Sequence, residues 1–182
     1  VTVPWDTPNE LILTMEPFTP PSQTLIEQGA RCMTSQEATR HNPTAKTTQW
    51  AHNRKKLESA MPEGIYHTFL VNQDGYILEG TSSNFYAILD GELRTAGEGV
   101  LEGISQRIVF QTHDGIIPLR KDPVHVDDIP NFSEAFLTSS TRGIIPVIEI
   151  DGIVIGDGNV GAKTKRLRQA YQAWMNEHLE EL

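Results

Sequence analysis

An α+β fold is the class that the sequence predicts, and three observations lead to it. Short apolar segments occur in pairs separated by turn residues such as Asp-Gly, which is the pattern of antiparallel hairpins. A few helical segments lie between these pairs and do not alternate regularly with strands, as they would in an α/β sheet. The 182 residues are 38% hydrophobic and 21% charged, so the chain can bury a substantial core.

Before residue 66 the sequence predicts two extended segments and one helix. Residues 11–15 are apolar and lie between prolines, which confines a strand to that length. Residues 24–33 predict a second extended segment. Residues 49–61 contain good helix formers and are followed by Pro62, so we expect a helix there. A polar loop that carries Lys46 separates the last two elements.

The middle of the chain predicts antiparallel sheet followed by a helix. Four strand-like segments form two hairpin pairs, and the second pair is joined by Asp90 and Gly91, the strongest two-residue hairpin signal. The four segments are 67–72, 76–80, 85–89 and 92–95. Residues 104–113 predict a short helix, because apolar side chains recur there at helical spacing between two glycines.

The last third of the chain predicts three short strands and a terminal helix. The strands are residues 134–140, 146–150 and 153–156, and an Asp-Gly turn at 151–152 joins the last two. Residues 162–182 predict an amphipathic helix, because five apolar side chains fall at helical spacings. They are Leu167, Ala170, Tyr171, Trp174 and Leu179.

Charge and cysteine content argue against several classes of partner. The net charge of −9 is unsuited to gripping a phosphate backbone, so we expect no nucleic-acid partner. The single cysteine, Cys32, cannot form an internal disulfide or supply a cysteine metal site, and the cytoplasm is the expected location. No apolar run approaches the roughly 20 residues of a membrane span, and no export signal is visible, so we expect no membrane partner.

Four polar features are candidates for chemistry, although each also has an ordinary structural explanation. Taken singly, Lys46 and Glu79 are typical of exposed surface charges. Residues 101–105 place a glycine and Ser105 where a helix begins; backbone amides there suit an anion, and a simple N-cap by Ser105 is the alternative. Residues 138–141 place four hydroxyls at a strand end, which either donate to phosphate oxygens or close a turn.

Taken together, these features are the parts that a pyridoxal-phosphate enzyme requires. A lysine forms a Schiff base with the cofactor's aldehyde. A carboxylate beside the pyridine nitrogen favours its protonated form, so that the ring accepts electrons when a proton leaves Cα. Two groups of donors hold the phosphate.

Four segments then carry a resemblance to a known family. They are AKTTQWAHN (45–53), GYILEGTSSNFYAILDGELRT (75–95), VLEGISQRIV (100–109) and EAFLTSSTRGIIPVIEIDGIVIGDGNVG (134–161). Their order resembles that of the branched-chain and D-amino-acid aminotransferases, which are class IV, or fold-type-IV, pyridoxal-phosphate enzymes. The resemblance implies the α+β large domain of that fold. It also implies an aminotransferase that moves an amino group from an amino acid to a 2-keto acid through a Schiff base on Lys46.

Residue by residue, the resemblance implies a set of cofactor and substrate contacts. Lys46 matches the Schiff-base lysine, which also moves the proton, and Glu79 matches the carboxylate at the pyridine nitrogen. The other cofactor-binding residues that it implies are Asn84, Leu101, Ile104, Ser105, Ser139 and Ser140. The substrate-binding residues that it implies are Trp50, Thr141 and Arg142. No metal is implied.

The resemblance further implies a domain division and partners. Residues 1–20 correspond to the junction with a small N-terminal domain that is largely missing from the sequence, and residues 21–182 to the cofactor-binding large domain. The expected partners are an amino acid, a keto acid and a second subunit in a homodimer. Two other functions stay open: an aminodeoxychorismate lyase, which shares the lysine and glutamate but eliminates pyruvate, and a non-catalytic remnant that keeps only the fold.

Overall fold

The computed structural model describes residues 17–36, 45 and 47–179, and within them it has ten strands, four α-helices and one 3-10 helix. The helices are α1 (Gln23–Gln28), α2 (Thr48–Ser59), α3 (Ile104–Thr112), α4 (Ala162–Glu177) and the 3-10 helix Val126–Asn131. The longer strands are β1 (Ala30–Ser35), β2 (His67–Val71), β3 (Tyr76–Gly80), β4 (Ser83–Leu89), β8 (Glu134–Ser139) and β9 (Gly143–Ile150). The short strands are β5 (Glu92–Arg94), β6 (Leu119–Arg120), β7 (Val124–His125) and β10 (Ile153–Val154). The predicted α+β class is confirmed.

Six of the strands form a closed ring. They follow one another in the order β4, β8, β9, β1, β2 and β3, and β3 pairs again with β4. Strand β1 is parallel to both of its neighbours, whereas the other pairs in the ring are antiparallel. The closing contact between β3 and β4 contains two residue pairs, Glu79 with Asn84 and Gly80 with Ser83. These four residues therefore lie together at one end of the ring.

Strands β4, β8 and β9 are buried on both faces, because their side chains alternate between two apolar clusters. On β4, Phe85 and Ala87 belong to an inner cluster, and Tyr86 and Ile88 belong to an outer cluster. The inner cluster also contains Cys32, Phe69, Leu137, Ile145 and Val147. The outer cluster also contains Ile108, Val109, Phe136, Ile144, Leu167 and Tyr171. Helices α3 and α4, which pack against each other, supply the outer cluster's covering layer.

The two Asp-Gly turns have the geometry that their sequences predict. Asp90 and Gly91 have φ of 53° and 79°, and Asp151 and Gly152 have φ of 52° and 78°. Positive φ at both central residues is the signature of a type I′ turn, which matches the twist of the strands that it joins. The hairpins β4–β5 and β9–β10 are therefore confirmed.

The extended segment predicted for residues 24–33 is wrong in its first half, which is the helix α1. Ser22 caps this helix, its Oγ accepting a hydrogen bond from Leu25 N at 3.2 Å. Gly29, with φ of 81°, ends it and donates to Leu25 O at 2.9 Å. Leu25 packs against the inner cluster. A single apolar contact within six residues leaves no helical period to detect, and strand β1 follows at once.

The other element predictions agree with the structure where it describes them. The three longer helices, the hairpin β2–β3 and the strands β8 and β9 are confirmed, while the strand predicted at residues 11–15 lies outside the described residues. The terminal helix is shorter than predicted, because it ends at Glu177, and Leu179 lies beyond it and is exposed instead of belonging to its apolar face. The two-residue strands β6 and β7 were not predicted. Of the helices in the described part of the chain, none is long and apolar enough to cross a membrane.

Candidate active site

A cavity of about 440 Å³ opens at the end of the ring where β3 and β4 meet. Nine of the residues singled out in the sequence line it. They are Trp50, Glu79, Asn84, Leu101, Ser105, Ser139, Ser140, Thr141 and Arg142. The side chain of Ile104 does not line it and is 68% exposed. Lys46 lies outside the described residues.

Glu79 and Asn84 hold the loop that leads into α3. Glu79 is 3% exposed, and its Oε2 accepts a hydrogen bond from Leu101 N at 3.2 Å. Asn84, its cross-strand partner, donates from Nδ2 to Leu101 O at 2.9 Å. A Cβ on Gly103 would overlap Asn84 Oδ1, so only glycine lets the loop come this close. A buried carboxylate is thus fixed on the cavity wall.

The N-terminus of α3 faces the same cavity and receives no side-chain cap. Gly103 is the N-cap residue, so the alternative of a simple cap by Ser105 is wrong. Ser105 is instead buried, and its Oγ lies 2.9 Å from the hydroxyl of Tyr171 on α4. Within the described residues, the backbone amides of Ile104 and Ser105 have no acceptor. Open amides and the positive end of the helix dipole therefore meet the cavity.

Arg142 links the two turns that border the cavity. Its Nε donates to Ser139 Oγ at 2.8 Å, next to the end of β8. Its Nη2 donates to both the carbonyl oxygen and Oγ of Ser82, at 2.9 and 3.0 Å, in the turn between β3 and β4. In the part of the chain that the structure describes, no carboxylate pairs with this guanidinium. Among these residues, Arg142 therefore presents an uncompensated positive charge to the cavity.

Helix α2 supplies the opposite wall. Trp50 donates from Nε1 to Thr81 O at 2.9 Å, and Arg54 pairs with Glu58 through Nε and Oε1 at 3.3 Å. The hydroxyl of Thr81 is buried, and among the described residues it has no hydrogen-bond partner. A buried hydroxyl without a partner is costly, so a polar ligand in the cavity would be favoured beside it.

His67 and Ser83 form a buried pair that the sequence analysis did not single out. His67 Nε2 lies 2.8 Å from Ser83 Oγ, and a Cβ on Gly80 would overlap both. Burial, together with the positive charges of Arg142 and Arg54, lowers the pKa of His67 to about 3, so its ring is neutral. The signal in the sequence is a glycine in a strand, which often marks a close approach of another group.

Tyr171 is the second residue that the sequence analysis missed. It was assigned only to the apolar face of the terminal helix, and nothing in its spacing connects it to Ser105, 66 positions earlier.

The cavity combines a buried carboxylate, an open helix N-terminus with hydroxyls, and a guanidinium that lacks a carboxylate partner among the described residues. A carboxylate stabilises a protonated nitrogen, and the helix N-terminus stabilises an anionic group. The arrangement suits a ligand that carries both, with Arg142 available for a second anion.

Comparison with known proteins gives one match to a family profile. The profile described as amino-transferase class IV matches residues 4–150. Among curated relatives, the D-alanine aminotransferase of Staphylococcus epidermidis is 28% identical over 160 residues, which cover 84% of this chain and 55% of that protein. The chain spans about half the length of the curated relatives that it matches.

Solved structures share the fold. The T.th. branched-chain amino acid aminotransferase with pyridoxamine 5′-phosphate superimposes with a TM-score of 0.78 at 24% identity, covering 87% of this chain and 54% of that one. The branched-chain amino acid aminotransferase of Escherichia coli does so with a TM-score of 0.72 at 25% identity, covering 88% of this chain and 55% of that one.

Proposed function

Because the chain belongs to the class IV aminotransferase family, we propose that it is the cofactor-binding domain of a pyridoxal-phosphate-dependent aminotransferase. The enzyme would transfer an amino group from an amino acid to a 2-keto acid. The observation that carries the proposal is one cavity with the buried carboxylate of Glu79 on its wall and the uncapped N-terminus of α3 at its edge. Similarity to the D-alanine aminotransferase of Staphylococcus epidermidis and to the branched-chain amino acid aminotransferase of Escherichia coli supports it.

The residues of the cavity fit this cofactor. When bound, pyridoxal phosphate supplies an aldehyde that bonds to amines and a protonated ring that accepts electrons. Among the described residues, the amides at the start of α3 have no acceptor. The buried hydroxyl of Thr81 likewise has no hydrogen-bond partner there. The cavity therefore offers unused donors where a polar, phosphate-bearing group requires them.

Glu79 would hold the proton on the pyridine nitrogen. The carboxylate is almost fully buried, and the bond from Leu101 N keeps it oriented without neutralising its charge. In a water-poor site a carboxylate stabilises a nearby cation more strongly than it does in water. Asn84 supports this arrangement from the next strand through its bond to Leu101 O.

The phosphate would bind at the start of α3 and at the turn after β8. Ser105 supplies a hydroxyl, and the amides of Ile104 and Ser105 point along the positive end of the helix dipole. Ser139 and Ser140 border the same cavity from the other side. The exposed side chain of Ile104 has no part in this binding, because the contribution comes from its backbone.

Lys46 would bond to the cofactor and move the proton at Cα of the substrate. This assignment rests on its position in the segment AKTTQWAHN, because Lys46 lies outside the described residues. A lysine amine is suited to both tasks, being a nucleophile when neutral and an acid when protonated.

The substrate would lie between Arg142, Thr141 and Trp50. The guanidinium has no carboxylate partner among the described residues and is held by Ser139 and Ser82, so a substrate carboxylate would complete its charge balance. Trp50 is fixed by its bond to Thr81 O and offers an apolar surface on the facing wall.

Borohydride reduction of the complete protein tests whether the cofactor bonds to Lys46. We expect reduction in the presence of pyridoxal phosphate to leave a stable pyridoxyl label on the peptide that contains Lys46. The Lys46→Arg variant should take up none, whereas the matched Lys55→Arg variant, changed at an exposed lysine of α2, should label normally. A label on another lysine would contradict the assignment.

The Glu79→Gln variant tests the carboxylate. Transamination should slow by roughly 100-fold because an amide cannot balance a protonated ring, while cofactor binding falls by less than about tenfold. The control is Glu63→Gln, at an exposed glutamate outside the cavity. Unchanged turnover in the variant would remove Glu79 from this role. Steady release of pyruvate by the parent protein, without amino transfer, would favour the lyase instead.

A further inference from the structure

Tyr171 reaches the site through Ser105, although no step of the proposed function uses it. The Tyr171 hydroxyl lies 2.9 Å from Ser105 Oγ, and both side chains are buried. Ser105 lines the cavity, whereas Tyr171 does not and packs within the outer cluster. One hydrogen bond therefore connects an apolar layer to the cavity wall.

The direction of this bond follows from counting protons. Each hydroxyl has one proton, and within the described residues neither forms another hydrogen bond. One of the two protons lies between the oxygens, and the other has to find a partner elsewhere. If Tyr171 kept the spare proton, it would point into the outer cluster, where it forms no hydrogen bond to any described residue, which is costly. If Ser105 keeps it, the proton can point into the cavity.

The second serine at the cavity has the same arrangement. Ser139 Oγ accepts a hydrogen bond from Arg142 Nε at 2.8 Å, and a guanidinium can only donate. The proton of Ser139 is therefore also left for another acceptor. Ser139 thus lines the cavity with a hydroxyl that accepts a bond from its neighbour and has its own proton available to another acceptor.

We propose that Tyr171 is a positioning residue that donates to Ser105 Oγ and thereby directs the Ser105 proton toward an anion at the start of α3. Tyr171 touches neither cofactor nor substrate. It fixes the rotamer of a donor and makes that donor stronger, because a hydroxyl oxygen that accepts a bond donates more readily. The proposal rests on the proposed function, in which the anion is the phosphate of pyridoxal phosphate.

The test compares the affinities of the complete protein for pyridoxal phosphate and for pyridoxal, which lacks the phosphate. We expect Tyr171→Phe to weaken binding of pyridoxal phosphate by about fivefold, the typical effect of one hydrogen bond, and to leave binding of pyridoxal unchanged. A merely structural role would weaken both ligands alike, so an equal loss, or no loss, would overturn the proposal.

The matched control is Tyr86→Phe. Tyr86 belongs to the same outer cluster and is fully buried, but its hydroxyl forms no hydrogen bond to Ser105. This control should keep the parent's ratio of the two affinities. A drop in the ratio equal to that of Tyr171→Phe would overturn a specific effect of Tyr171.

A double variant tests whether Tyr171 acts through Ser105. In a Ser105→Ala background, Tyr171→Phe should have no further effect on the affinity for pyridoxal phosphate. A further fivefold loss there would overturn the proposal. If the parent protein does not prefer pyridoxal phosphate over pyridoxal, both this inference and the proposed function fail. If the parent and Tyr171→Phe prefer it equally, only the inference fails.

Discussion

The helices α3 and α4 begin with the same backbone, but their first turns meet different partners. Gly103 and Gly161 are the N-cap residues, with φ/ψ of −78°/147° and −72°/160°, and neither helix has a cap from its own side chains. At α4 the carboxylate of Glu134 accepts hydrogen bonds from Lys163 N at 3.0 Å and Thr164 N at 2.7 Å. At α3 the first amides face the cavity.

The difference separates a structural terminus from a functional one. A helix N-terminus requires a negative partner, and the chain supplies it for α4 from strand β8. For α3 the chain supplies none among the described residues, and the terminus opens onto a cavity that the donors Ser105 and Ser139 line. Such a terminus is incomplete until an external anion binds, which agrees with the proposed phosphate site.

The largest effect is expected when a carboxylate is placed at the N-terminus of α3, as Glu134 already is at the N-terminus of α4. Ser105→Asp removes a donor and places a carboxylate at the terminus, so affinity for pyridoxal phosphate should fall by about 100-fold. Titration of the complete protein with the cofactor measures this. The control Gln169→Glu adds the same charge on the exposed side of α4 and should change little. An affinity within about threefold of the parent's would show that the phosphate binds elsewhere.

The reverse experiment takes the partner away from α4. Glu134→Ala should lower the free energy of unfolding by about 2 kcal/mol, because two amides lose a charged acceptor. Cofactor affinity should change by less than threefold. Denaturant unfolding measures the free energy of unfolding, and titration measures the cofactor affinity. The control is Glu177→Ala, at an exposed glutamate near the end of α4. Equal loss of stability and of affinity would mean that the two termini are not independent.

The same substitution at both N-caps sharpens the comparison. A Cβ on Gly103 would overlap Asn84, whereas a Cβ on Gly161 would overlap Glu134. Gly103→Ala should therefore displace Asn84 and shift the loop that leads into α3, which should weaken cofactor binding by about tenfold. Its effect on stability should be small. Gly161→Ala should lower stability and leave binding alone. The comparison breaks down if both variants lose the same property.

The smallest expected effect is a dependence of stability on pH at the cavity end of the ring. The pKa of His67 is lowered to about 3 by burial, with Arg142 and Arg54 adding to the effect, whereas an unfolded histidine titrates near 6.5. The unfolded chain thus binds the proton first, and stability is lost as pH falls from 6.5 toward 3. Between pH 7 and pH 5.5 the loss should be about 1 kcal/mol.

The His67→Gln variant provides the reference for that measurement. Glutamine keeps a polar group for Ser83 but does not titrate, so the variant should lack this part of the pH dependence in denaturant unfolding. Identical slopes for parent and variant between pH 7 and pH 5.5 would contradict a neutral, buried His67.

Local sequence signals predicted much of the fold, and the failures lie where the structure depends on distant contacts. The Asp-Gly pairs predicted the hairpins because a type I′ turn requires only its own residues. The parallel pairing of β1 with β9 joins residues such as Ala30 and Val147, and no local pattern encodes it. The helix α1 was missed because six residues are too few to show a period.

For the site, the family's motifs named nine residues that the structure brings to one cavity, while their roles stay predictions. The residues behind them were missed. His67 and Tyr171 contact Ser83 and Ser105 from positions 16 and 66 residues away, and their types are ordinary for a strand and an apolar helix face. Lys46 remains a prediction from sequence alone.

The position of β1 between β2 and β9 constrains when the cavity can form during synthesis. The ring needs residues 143–150 as its sixth strand, so it cannot close until that segment has left the ribosome. Pairings between residues more than 110 positions apart also raise the contact order, which slows folding. Until then β1 and β8 each lack one neighbouring strand of the final sheet. The nascent chain thus carries an unpaired strand edge, open to other chains or chaperones, until residue 150 has been synthesised and the cavity can form.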